Sequence, residues 1–101
     1  MRFSREYTKL QDHVFTTIRF HSFYNEGQII DCKTPLQIFE ARVLVKFSVP
    51  FIEIPEGLLR YDTDSPELSG AQIRDEIRTL YGAAAPKDHD DMTIYLLEKL
   101  K

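Results

Sequence analysis

Phe39, Ala41, Val43, Val45 and Phe47 alternate with Glu40, Arg42 and Lys46. A two-residue period of that length predicts a strand over Gln37 to Phe47, with an unbroken apolar face buried and the other face wet. His13 to Phe20 also runs with period two. Val14, Thr16, Ile18 and Phe20 share one face, and Phe15, Thr17, Arg19 and His21 share the other. The tight turn Tyr24-Asn25-Glu26-Gly27 follows, and Gln28 to Lys33 predicts a second strand ending before Thr34-Pro35.

Helical spacing occurs at two places. Phe3, Tyr7, Leu10 and Val14 suit a short amphipathic helix after Ser4 as its N-cap. Ser69 with Gln72 forms a capping-box signal ahead of Ile73, Ile77, Leu80 and Tyr81, and Gly82 is placed as the C-terminal stop. Between these, Pro50 and Pro55 bracket the apolar run FIEI, and Leu58, Leu59 and Tyr61 predict a single helical turn. Met92 to Leu100 alternates poorly and is apolar enough for a central strand. The expected fold is therefore α+β: a small, mostly antiparallel β-barrel with an N-terminal helix and a late amphipathic helix, all in a single domain over 1–101.

Composition narrows the function classes. At 101 residues, 43% apolar and 29% charged, the chain is an ordinary globular domain with one core. The net charge of -3 leaves no diffuse attraction to phosphate backbones, so any nucleic-acid contact needs a local basic patch. Cys32 is alone, which excludes a disulfide framework and a cysteine-based zinc site. The opening MRFSREY carries charges where a signal peptide needs an apolar stretch, and no run approaches membrane-spanning length. The expected location is the cytoplasm, with no membrane partner.

The candidate chemistry is concentrated on the first strand. Thr17 and Arg19 share a face about 7 Å apart at standard rise, close enough for a hydroxyl and a planar guanidinium to grip one phosphate or base edge. His21, Phe23 and Tyr24 place flat rings beside that charge, a combination suited to single-stranded nucleic acid. Lys46, with Arg42 and Arg60, extends the basic strip if the fold brings them to the same side. The plainer alternatives stay open: Arg19 pairing with Glu40 or Asp31, Thr17 as a β-former, and rings that pack over the barrel's end. Asp88, His89, Asp90 and Asp91 are consecutive loop residues pointing in different directions, and Asp62, Asp64 and Glu67 lack the glycine and spacing of a calcium loop. No metal and no cofactor is expected.

Taken together, the leading helix, the T-x-R strand, the Tyr-x-x-Gly turn, the long alternating third strand, the Leu80-Tyr81-Gly82 helix end and the closing strand resemble the ASCH domains, a branch of the PUA-like β-barrel superfamily. The family pattern at the first strand is G-x-K-x-x-(E/T)-x-R. Here the stretch is DHVFTTIR. Thr17 and Arg19 match it, Asp12 stands for the glycine and Val14 for the lysine.

The resemblance implies binding of RNA or a nucleotide-like ligand, in a cleft lined by Thr17, Arg19, His21, Tyr24 and Lys46. One branch of the family looks like an amidohydrolase on acylated cytidine that uses lysine, threonine and glutamate. By that analogy Thr17 would be the nucleophile and Glu67 the acid, but Val14 cannot accept a proton. His13, Lys33 or Lys46 would have to replace the lysine. A third alternative is a protein-interaction module whose acidic surface meets a basic partner.

Overall fold

The computed structural model describes residues 1–64 and 67–100. Four strands, β1 (Val14–Arg19), β2 (Ile29–Lys33), β3 (Ile38–Pro50) and β4 (Asp91–Lys99), form one curled antiparallel sheet in the order β1-β4-β3-β2. Two helices, α1 (Glu56–Thr63) and α2 (Gly70–Tyr81), pack on it among the described residues. The class is α+β, and the sheet is a half-barrel. No helix among the described residues is long and apolar enough to cross a membrane.

β4 is central, as its apolar run predicts, and it separates two cores. Tyr95 and Leu97 face a concave core with Phe3, Leu10, Phe15, Ile30, Cys32, Phe39, Ala41 and Val43. Met92 and Ile94 face the helices and pack with Ile18, Phe51, Ile54, Leu59, Ile73 and Ile77. A strand buried on both faces has no reason to alternate, which explains the poor period of this segment.

The turn after β1 does not make a hairpin. β1 and β2 lie at opposite edges of the sheet, and the segment Phe20 to Gln28 crosses between them. It is pinned where the Gly27 amide donates to the Val43 carbonyl at 2.7 Å and the Lys46 ammonium donates to the Ser22 carbonyl at 2.8 Å. Gly27 takes φ 85, a conformation glycine adopts without steric cost.

The sequence pattern needs correction in three places. The N-terminal helix is only a 3-10 turn over Thr8–Gln11. Ahead of it the chain is extended along β2: the Phe3 amide donates to the Lys33 carbonyl at 2.8 Å, and the Lys33 amide to the Met1 carbonyl at 2.9 Å. The apolar face of β3 is also interrupted. A register shift between Val43 and Val45 breaks the alternation, so Phe39, Ala41 and Val43 are buried while Val45 and Phe47 are exposed. Finally, Leu80 and Tyr81 are exposed, and the buried stripe of α2 ends at Ile77.

Elsewhere the local signals and the structure agree. Ser69 and Gln72 form the reciprocal capping box of α2, and Gly82 ends the helix at φ 58. FIEI folds into a 3-10 turn over Phe51–Glu53, and the Leu58-Leu59-Tyr61 turn grows into α1.

Candidate functional site

A cavity of about 570 Å3 opens between the N-terminal arm, the end of β1, the last turn of α1 and the last turns of α2. Thr17 and Arg19 both line it. Thr17 is 1% exposed. The Arg19 Nε–H donates to the Thr17 hydroxyl at 3.2 Å, and its guanidinium lies over the Phe3 ring, 4.7 Å from the centroid. Strand rise alone separates the two residues, and the long arginine side chain folds back to close the gap.

Among the described residues, no carboxylate lies within 4.0 Å of Arg19. The cross-strand partners considered for it are instead opposite each other: Asp31 faces Glu40 across β2 and β3. Arg19 therefore keeps its charge available at the cavity it lines.

Lys9 is a cavity residue that sequence reasoning missed. It is 2% exposed, and its ammonium donates to Asp62 at 2.6 Å and to the Thr16 carbonyl at 2.9 Å. Burial pushes its pKa down, and the Asp62 carboxylate works in the opposite direction. The same Asp62 oxygen accepts from the Ile18 amide at 3.1 Å. Next to it, Asp64 at the left-handed end of α1 accepts from Arg5 at 3.1 Å and from the Thr8 amide at 2.8 Å. The only signals for Lys9 in the sequence are a cation between Tyr7 and Leu10 and an acid more than fifty residues away, and neither points to the other.

The remaining predicted site residues lie elsewhere. Val14 is on the outward, helix-side face of β1 and does not line the cavity. Glu67 is exposed ahead of α2 and does not line it either. His21 and Tyr24 belong to the crossing segment. The His21 ring stacks on Phe23 at 4.1 Å, and the hydroxyl of fully buried Tyr95 accepts from the Tyr24 amide at 3.4 Å and donates to the His21 carbonyl at 3.3 Å. Burial lowers the His21 pKa, and the Arg19 charge lowers it further.

Nor does a basic strip continue from Arg19. Lys46 is bonded to the crossing segment, Arg42 pairs with Glu98 at 3.9 Å, and Arg60 pairs with Glu56 at 2.8 Å. The acidic loop is used internally: Asp88 pairs with Arg78, and Asp90 accepts from the Lys87 amide at 2.9 Å. Among the described residues, no three His, Cys, Asp or Glu side chains are placed to hold a metal ion.

Comparison of the chain with protein-family models, with curated proteins and with solved structures gives no match. The functional reading therefore rests on the cavity.

Proposed function

We propose that this chain is a PUA-like domain of the ASCH type that binds RNA or a nucleotide-like ligand at the cavity of Thr17 and Arg19. One observation carries the reading. Arg19 lines a cavity, is held in place by Thr17 and Phe3, and has no carboxylate partner among the described residues. A guanidinium fixed in that way is pre-organised for an anion, since its planar donors lose little freedom when they engage phosphate. Calorimetric titration with short single-stranded RNA and with nucleotides at low salt tests the reading. Binding should weaken as salt rises and disappear in Arg19→Ala. Absence of binding to any nucleotide or RNA at low salt removes it.

One observation supports the amidohydrolase as a second reading: a lysine, Lys9, lines the same cavity as Thr17. Against it, the Lys9 ammonium is bonded to Asp62 and the Thr16 carbonyl, Glu67 is outside the cavity lining, and the Thr17 hydroxyl accepts from an arginine that cannot take up a proton. Turnover of acylated cytidine that is lost in both Thr17→Val and Lys9→Met would establish this reading. No turnover by the wild-type protein would dismiss it.

A further inference from the structure

Resting on the nucleotide-binding reading, we propose that the cavity takes one nucleoside monophosphate at a time, with its phosphate on Arg19 and Arg2 and its base against Leu80 and Tyr81. Charge sets the phosphate count. The two ion pairs at the N-terminal turn neutralise four of the charged side chains in the lining, which leaves Arg2 and Arg19 facing Glu76. Two guanidinium groups against one carboxylate match a single phosphate. Further phosphates would find no unpaired cation left in the lining and would meet the carboxylate of Glu76.

The part of the lining that the end of α2 supplies is apolar and open. Leu80 is 82% and Tyr81 42% exposed, although both were expected in the core stripe of α2. Both line the cavity. The Tyr81 ring is backed edge-on by Phe20 at 6.4 Å, so it offers a firm flat surface of the kind on which bases stack. A cationic end and an aromatic wall in one cavity of about 570 Å3 suit a small ligand with an anionic head and a flat ring.

A strand of RNA fits less well. Arg42, Lys46 and Arg60 are engaged with protein partners, so no succession of cations leads away from Arg19 to follow a backbone.

Calorimetry with inorganic phosphate, adenosine monophosphate, adenosine triphosphate and a short oligoadenylate tests the proposal. The monophosphate should bind at least tenfold tighter than inorganic phosphate and tighter than the triphosphate or the oligomer. Tyr81→Ala should lower its affinity about tenfold, the loss of one base–aromatic stack, and leave inorganic phosphate unchanged. Arg19→Ala should weaken both.

If the monophosphate binds no tighter than phosphate, or Tyr81→Ala has no effect, the proposal falls while Arg19-dependent anion binding still stands. Tighter binding of the triphosphate or the oligomer also overturns it. If nothing binds, the proposal and the reading it rests on fail together.

Discussion

Lys9 and Asp62 meet at 2.6 Å beside the outer edge of β1, where each also bonds the strand backbone, Lys9 to the Thr16 carbonyl and Asp62 to the Ile18 amide. An edge strand presents alternate residues with both carbonyl and amide pointing outward, and those of Thr16 and Ile18 would be unpaired. The ion pair satisfies one acceptor and one donor, much as a fifth strand would. It also blocks that edge against another chain.

Removing one partner should therefore cost more than an exposed ion pair is worth. In Asp62→Ala the Lys9 ammonium stays buried without its bonded counter-charge and the Ile18 amide loses its acceptor, so a loss of about 3–5 kcal/mol is expected. Lys9→Met keeps much of the buried aliphatic volume and should cost less. Urea denaturation of both single variants and the double variant gives the coupling energy, and additive losses would contradict the strand-edge role.

Acidification should weaken the fold in two separate windows. His21 is held below its ordinary value of 6.5 by burial, and then by Arg19. The unfolded chain takes up that proton first, so stability present above pH 6.5 falls as pH drops through the folded value. Glu6 is held below its ordinary value of 4.5, chiefly by the Thr34 hydroxyl and further by the Leu36 amide. Its contribution is lost at lower pH by the same sign. Melting temperature measured against pH should lose the upper limb in His21→Gln and the lower limb in Glu6→Gln.

Ser69→Ala removes the hydroxyl that accepts from the Gln72 amide at 3.3 Å and should cost about 1 kcal/mol in thermal unfolding. α2 carries Leu80 and Tyr81, so the frayed helix should also bind the cavity ligand more weakly. A stability loss with unchanged affinity would separate the start of the helix from the site.

Tyr95→Phe deletes the hydroxyl that ties down the crossing segment. Both of its hydrogen bonds are long, at 3.3 and 3.4 Å, so a modest cost of about 0.5–1.5 kcal/mol is expected. The clearer readout is hydrogen exchange: the Tyr24 amide should lose protection while amides of β4 keep theirs.

Short-range signals were legible in the sequence because their causes are local. The capping box of Ser69 and Gln72, the stop at Gly82 and the continuous apolar run of β4 depend on neighbours within a few residues. Strand order was not legible, because a tight turn between two strand patterns is compatible with a hairpin or a crossing. The helical spacing of Phe3, Tyr7 and Leu10 misled because an extended arm carrying Phe3 and a 3-10 turn carrying Leu10 bury both in the same core, and the backbone of the arm finds partners on β2.

At the site, the period of β1 placed Thr17 and Arg19 on one face. Residues that reach the cavity from distant segments, namely Lys9, Asp62 and Arg2, leave no periodic trace. Leu80 and Tyr81 were visible as part of an apolar stripe, and only the packing shows that the core ends one turn earlier.

The register of the sheet has a consequence for how the chain is made. Val14 lies opposite Glu98 and Phe15 opposite Leu97, so the first strand meets its partner only after nearly all of the domain has been synthesised. On the ribosome, Phe15 and Ile18 must wait through the translation of both helices, and pairing over such separations is slow. A nascent chain stalled before residue 91 would leave β1 unmatched and its apolar side chains open to chaperones.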